Sequence, residues 1–296
     1  MMKGNVVLDI VDKDSLSHGL IVKIPMDDNS EMQNARNYAM LTNMHESSTI
    51  PVEIKGLIPR PIAKHVIDGQ NFYIEEKMKG SQAGDIAFND NARNLVLQHA
   101  AHIIMKLHTA TLKRVSWSDK EYASKIGNMI ERVKQAGRYG QGSFDKLDRL
   151  LRGSFASRNL LIAQKHGDYS FANILIDPHT YHVQSIIDWD NSEYDHPLML
   201  DMLNLIESTY GFRDYELGHT ITDVFLKNGL SKAENNILAN YTSNFGISQD
   251  SFVGYTLLYW LHHFDSQMKY GFLTNNPEWM EQNYYNVISA IDTVLS

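Results

Sequence analysis

The chain has 296 residues, 43% of them hydrophobic, enough for one large domain or two lobes with a substantial core. Its formal net charge of −8 argues against a general nucleic-acid binder, whose footprint is a basic patch, and its lack of cysteine excludes disulfides and thiolate metal sites. No stretch approaches the roughly 18 apolar residues of a membrane span, and Asp9, Asp12 and Asp14 stand where a secretory signal would be basic and then apolar, so a cytoplasmic location is expected.

Two apolar runs, Val6 to Val11 and Leu20 to Ile24, read as strands; in the second, alternation puts Ile21 and Lys23 on one face, opposite Leu20, Val22 and Ile24. Glu31 to Met44 has helical composition, and Phe72 to Gly80 reads as a strand ending at a glycine. Beyond it the chain turns helical. Val96, Ala100, Ile103, Ile104 and Leu107 mark one amphipathic helix, and Lys113 to Arg158 reads as two helices joined at a glycine-rich break near Gly137 to Gly142. Val253, Leu257, Trp260, Leu261 and Phe264 mark another helix, and Val287, Ile288, Ile291 and Leu295 a last one; these stripes are most simply core packing. His99 and His102 share a helix without a matched ligand set, and the adjacent His262 and His263 face different directions, so all four read as ordinary histidines. Strands preceding helices fit an α+β layout.

The chemistry concentrates in HGDYSFANIL, His166 to Leu175, and IIDWD, Ile186 to Asp190. Asp168 and Asn173 lie five residues apart on a predicted tight loop. Asn173 to Asp177 is strand-like, Pro178 to Thr180 turn-like and Tyr181 to Ile187 strand-like again, so a hairpin returns Asp188 toward that loop. Phosphoryl transfer needs an acceptor that orients the attacking hydroxyl and oxygen ligands that hold magnesium on the nucleotide's phosphates. Asp168 suits the first task; the amide oxygen of Asn173 and the carboxylate of Asp188 suit the second, because Mg2+ prefers hard oxygen donors. Each residue alone is more simply a turn or helix cap, but joined by loop and hairpin they favour the kinase reading.

The wording of these motifs resembles the kinase catalytic loop, with HGD for HRD and IDW for DFG, and is similar to the aminoglycoside phosphotransferase family of small-molecule kinases and its choline, homoserine and fructosamine kinase relatives. The resemblance covers nearly all of the chain. It implies a bilobal protein kinase-like fold, with a small β-rich nucleotide-binding lobe over residues 1–79 and a larger, mostly helical catalytic and substrate-binding lobe over 80–296. By position it makes Asp168 the catalytic base, Asn173 and Asp188 the Mg2+ ligands, and His166 a brace of the loop. Asp201 becomes a buried support of the catalytic-loop backbone, and Asp190 an acidic residue that only some relatives carry. Lys23 becomes the strand lysine that holds the phosphates of ATP. The Glu76 carbonyl and the Met78 amide take the place of the adenine-binding hinge.

Two departures accompany the match. Where relatives carry a helix glutamate to pair with the strand lysine, this chain has Asn37, and an amide supplies no full counter-charge; Glu31 and Glu46 are the substitutes in reach of that helix. Only 22 residues precede Lys23, too few for the phosphate-covering loop and the first strand, so the small lobe lacks that strand or the sequence is part of a longer one. The resulting expectation is an ATP- and Mg2+-dependent transfer of the γ-phosphate to a hydroxyl of a small molecule, with a sugar or polyol first and an aminoglycoside or amino alcohol second. Glu193, Asp195, Trp189, Tyr194, Trp260 and Trp279 are the acceptor-pocket candidates, each weighed against plain surface or core roles. The alternative is a nucleotide-binding pseudokinase, a regulatory scaffold without turnover; a metal-dependent hydrolase would leave Lys23 and the hinge unexplained.

Overall fold

The structure is a computed structural model that describes every residue except 1–3, 13–14, 87–88, 138–140, 157–158, 212–215, 269–270 and 295–296. Asp14, Arg158, Leu295 and the middle of the glycine-rich break therefore lie outside the described residues. The chain forms two compact units, residues 1–112 with 163–196 and residues 113–162 with 197–296.

The first unit opens with an antiparallel hairpin of β1 (Asn5–Asp12) and β2 (Ser15–Pro25), both longer than the apolar runs that announce them. A second hairpin, β3 (Pro61–Ile67) and β4 (Gln70–Glu76), turns at Asp68-Gly69, both at positive φ, and completes a sheet of order β1-β2-β4-β3. In the β2–β4 register Lys23 stands opposite Tyr73 and Ile21 opposite Glu75.

Helix α1 (Asp28–Glu46) starts at a capping box in which the Asp27 side chain accepts the amide of Ser30 and the Ser30 side chain accepts the amide of Asp27. Its buried stripe is Ser30, Asn34, Asn37, Leu41 and Met44, apolar only at its C-terminal end. Buried amides need partners; Asn34 Nδ2 donates to Asn5 Oδ1 at 2.7 Å, and Asn37 finds its own in the candidate site. A one-turn α2 (Val52–Lys55) follows α1.

Past β4, Gly80 takes φ +107°, and a Cβ there would meet the backbone of Ile176 at 3.0 Å. This close approach lets the two-residue strand β5 (Ser81–Gln82) pair with β8 (Ile174–Ile176). After a single turn, α3 (Ala83–Ile86), comes α4 (Asp90–Thr111), whose N-cap Asn89 accepts the amide of Ala92 and which buries Val96, Leu97, Ala100, Ile104 and Leu107. Ile103, expected on that stripe, is half-buried.

In the second unit β6 (Lys113–Val115) pairs with the start of β7 (Leu160–Lys165). Between them α5 (Asp119–Tyr122) passes through a π-helical turn into α6 (Asn128–Ala136), and α7 (Gln141–Phe155) follows the break.

Back in the first unit, β8 pairs with β9 (Val183–Ile186) in the expected hairpin, with both strands shorter than expected because Asp177 and Tyr181 belong to the turn. The Asp177 carboxylate accepts the amides of His179 and Thr180, and Tyr181 sits at φ +59°. The short strand β10 (Glu193–Pro197) follows.

The remaining helices of the second unit are α8 (Leu200–Ser208), α9 (Leu217–His219), α10 (Lys232–Phe245), α11 (Phe252–Gln267), α12 (Gly271–Thr274), α13 (Pro277–Met280) and α14 (Asn286–Val294). Helix α11 packs against α6, α7 and α8 and buries every residue from Gly254 to Leu261. It is a central helix rather than the one-sided stripe its periodicity suggests.

Candidate active site

The loop that joins β7 to β8 is held by bonds between single side chains and the backbone. Gly167 takes φ +90°, and a Cβ on it would lie 2.2 Å from the carbonyl oxygen of Asn191, so the HGD turn presses backbone to backbone on the residues after Asp188. Buried His166 uses both ring nitrogens: Nδ1 accepts the amide of Asp168 at 3.3 Å, which leaves Nε2 to donate to the carbonyl of Ile187 at 3.0 Å. Tyr169 anchors the turn by donating its hydroxyl to the Ala100 carbonyl on α4 at 2.9 Å.

Asn173 closes the loop. Its Nδ2 donates to the carbonyl of Asp168 at 2.9 Å and to Asp168 Oδ2 at 3.0 Å, its own amide donates to the Ser170 carbonyl, and its carbonyl accepts the amide of Ile187 at 3.0 Å. The last bond sets Asp188, at φ +66°, one residue beyond the contact with Asn173. Trp189 is buried, and its Nε1 donates to the Ile186 carbonyl at 3.0 Å. The structure thus brings Asp168, Asn173 and Asp188 together around one loop and one hairpin.

Lys23 meets a partner that sequence reasoning missed. Its Nζ lies 3.0 Å from Glu75 Oε1, with both side chains largely withdrawn from solvent. Asn37 Nδ2 donates to Glu75 Oε2 at 2.9 Å, and Asn37 Oδ1 accepts the backbone amide of Trp189 at 3.1 Å. The counter-charge therefore comes from β4, not from Glu31 or Glu46; Glu31 instead accepts the Tyr73 hydroxyl at 2.5 Å and pairs with Lys64 at 3.8 Å. Lys23 and Glu75 are diagonal neighbours across β2 and β4, a separation that long side chains span. The alternation that buries Tyr73 and Glu75 but exposes Glu76 was the available signal, since an acid on the inward face of a strand calls for a cation.

Electrostatics tie the two groups together. Burial first, and then the carboxylate of Asp188, pushes Asp190 up to about 6, with Lys23 opposing the shift and Asp168 adding to it. One carboxyl thus feels Lys23, Asp168 and Asp188 at once. Lys23 is already matched by Glu75, so the three aspartates carry an excess of negative charge that a divalent cation would offset. The donors suit Mg2+: carboxylates and an amide oxygen. No group of three or more His, Cys, Asp or Glu side chains that could hold a metal ion occurs among the described residues.

The other candidates are placed as follows. Glu76 ends β4 opposite Leu20, and its amide donates to the Arg60 carbonyl; half-buried Met78 follows beyond the strand. Exposed Glu193 pairs with Lys165 at 3.2 Å, and Asp195 is exposed at φ +60°. In the second unit Asp201 is buried in the first turn of α8. Trp260 is buried and donates Nε1 to the Asn283 carbonyl, and Trp279 stacks on Phe264, so these two rings pack within that unit.

The fold is the protein kinase-like fold of the aminoglycoside phosphotransferases. A thermostable mutant of aminoglycoside phosphotransferase APH(4)-Ia matches with a TM-score of 0.57 at 11% identity, over 98% of this chain and 94% of that one. The GDP complex of aminoglycoside 2'-phosphotransferase-IIIa matches at 0.56 and 13%, over 97% and 93%. A ternary complex of a thermostable APH(4)-Ia mutant with AMP-PNP and hygromycin B matches at 0.54 and 11%, over 98% and 92%. No curated protein matches the chain in sequence. The model of the phosphotransferase enzyme family matches residues 10–202, well over half of the chain, and the chain belongs to that family. It is a phosphotransferase of the kinase type.

Proposed function

We propose that the protein transfers the γ-phosphoryl group of ATP to a hydroxyl of a small-molecule alcohol. The observation that carries this reading is the gathering of Asp168, Asn173, Asp188 and Lys23, four side chains drawn from a loop, a hairpin and a separate sheet, into one electrostatic neighbourhood. Asp168 orients the acceptor hydroxyl for in-line attack and takes its proton late, while the Asn173 amide steadies the carboxylate. Lys23, braced by Glu75, holds the nucleotide's phosphates, and the Glu76 carbonyl with the Met78 amide reads the base. Asn173 and Asp188 would hold Mg2+, whose chemistry is neutralisation of charge on the phosphate oxygens. His166 braces the catalytic loop. A loose transition state asks for position and charge balance more than for a strong base, which suits a carboxylate.

In this reading residues 1–79 bind nucleotide and residues 80–296 carry catalysis and the acceptor. A sugar or polyol is the first choice of acceptor, and an aminoglycoside or amino alcohol the second. Among the structural neighbours one complex holds GDP and another AMP-PNP with hygromycin B, which supports a nucleotide and a small-molecule acceptor. No helix among the described residues is long and apolar enough to cross a membrane, and we place the activity in the cytoplasm.

A thermal-shift titration with MgATP, followed by phosphate transfer over a panel of sugars, polyols, aminoglycosides and amino alcohols, tests the proposal. ADP formed with a phosphorylated alcohol is the expected result. A shift without product across the panel would favour the pseudokinase, and pyrophosphate release would show AMP transfer instead.

A further inference from the structure

The lysine, the acid and the amide of the small sheet and its helix form a continuous chain that ends on the loop of a metal-binding candidate. Lys23 Nζ lies 3.0 Å from Glu75 Oε1; Glu75 Oε2 accepts Asn37 Nδ2 at 2.9 Å; Asn37 Oδ1 accepts the amide of Trp189 at 3.1 Å, and Trp189 is bonded covalently to Asp188. Glu75, Asn37 and Trp189 are each less than a tenth exposed. Every link is a bond between groups that burial would otherwise leave costly.

The chemistry of residue 37 is narrowly set by its two neighbours. Glu75 needs a donor and the Trp189 amide needs an acceptor, and among short side chains the carboxamide of Asn offers both in fixed geometry. A carboxylate at this position would face Glu75 Oε2 with no proton to share, two acids in one buried place. The amide at 37 and the acid at 75 are thus a matched set. Moving the counter-ion of Lys23 from α1 to β4 requires the helix residue to become neutral.

Resting on the phosphotransferase reading above, we propose that Glu75 and Asn37 are positioning residues that lock Lys23 and the Asp188 loop to each other. The phosphate-holding cation and the loop of the metal ligand are then set in register before nucleotide arrives. Disturbing either relay residue moves both ends. Asn37 is in this light a working part of the site, and its presence is no sign of lost turnover.

The test is a charge transposition. Glu75→Gln, Asn37→Asp and the double variant Asn37→Asp with Glu75→Gln are compared with wild type for MgATP affinity by calorimetry, for KM and kcat in ATP turnover, and for unfolding midpoint without nucleotide. Glu75→Gln should weaken MgATP binding about tenfold or more, the scale of one hydrogen bond to a charged group, and Asn37→Asp at least as much. The double variant restores a donor at 75 facing an acid at 37, so it should recover affinity and unfolding midpoint above those of Asn37→Asp. If Glu75→Gln binds MgATP as tightly as wild type, the relay does not position Lys23. A double variant that unfolds earlier and binds more weakly than Asn37→Asp would likewise overturn the matched set. Recovery of the midpoint alone, with no change in MgATP affinity in any variant, would make the chain a structural contact only and also overturn the proposal. Wild type that binds no MgATP would instead sink the phosphotransferase reading, while the nucleotide-free midpoints would still decide whether the amide and the acid are matched.

Discussion

Replacing Gly167 with alanine tests the claim that the HGD turn works only when pressed on the Asp188 segment. At φ +90° an L-residue pays roughly 1–2 kcal/mol for the left-handed backbone. The new Cβ would lie 2.2 Å from the Asn191 carbonyl oxygen and 2.7 Å from its carbon, so one backbone segment must retreat by about an ångström, and such overpacking costs about 1–3 kcal/mol. Reduced freedom of the unfolded chain returns about 0.4–1 kcal/mol. The net loss is roughly 1–4.6 kcal/mol, a large share of the stability of an ordinary domain. Urea unfolding at unchanged slope measures it, with Gly56→Ala as the reference in the same unit. At Gly56 the backbone is at φ −66° and an added Cβ meets its nearest atom at 3.6 Å, so that change should be neutral or slightly stabilising. A Gly167→Ala protein within about 0.5 kcal/mol of wild type, the ordinary range for a surface change, would refute the close approach on which the site geometry depends.

Asp168→Asn keeps the size of the side chain but removes the proposed proton acceptor; transfer should fall by about 10²–10⁴-fold while calorimetry finds MgATP affinity little altered. Asp188→Ala should abolish the Mg2+ dependence of nucleotide binding, so EDTA that weakens ATP binding to wild type should leave the variant unchanged. Asp27 has its carboxyl held below the usual range, first by the Ser30 amide and next by that of Gly4. Because the folded pKa is the lower one, the contribution is complete at neutral pH and disappears as pH falls through the acid range below the unfolded value. Asp27→Asn should flatten that limb of a stability-versus-pH curve, read by thermal unfolding between neutral pH and acid.

The parts of the site that were legible in sequence are those built locally. Asp168, Asn173 and Asp188 fall within one loop and one hairpin, and the turn-like Pro178 to Thr180 announces the reversal that brings the last to the first. Which cation Glu75 meets was illegible for the opposite reason. Its pairing with Lys23 depends on the register of two strands some fifty residues apart, and nothing in either strand alone states that register. The hairpin of β3 and β4 did leave a mark, since Asp68-Gly69 is a strong two-residue turn signal; reading it would have set β4 beside β3 and placed Tyr73 and Glu75 on one face. Helix α1 hides its inward face because three of its five buried residues are polar, so a search for apolar periodicity passes over Asn37. Helix α11 misleads the other way, its apolar stripe being part of an all-round burial that only the surrounding helices explain.

The kind of bond that holds these residues together decides how many residue identities the arrangement needs. His166 donates to the Ile187 carbonyl and accepts from the Asp168 amide, Tyr169 donates to the Ala100 carbonyl, Asn173 donates to the Asp168 carbonyl, and Asn37 accepts the Trp189 amide. In each bond one partner is backbone, which every residue type supplies. The geometry therefore constrains one side chain per contact and leaves the identity of the other residue free. Only where side chain meets side chain, as at Lys23, Glu75 and Asn37, must two or three positions change together. There the three side chains form a coherent set: the acid lies on β4, the helix residue is an amide, and the lysine has its charge partner.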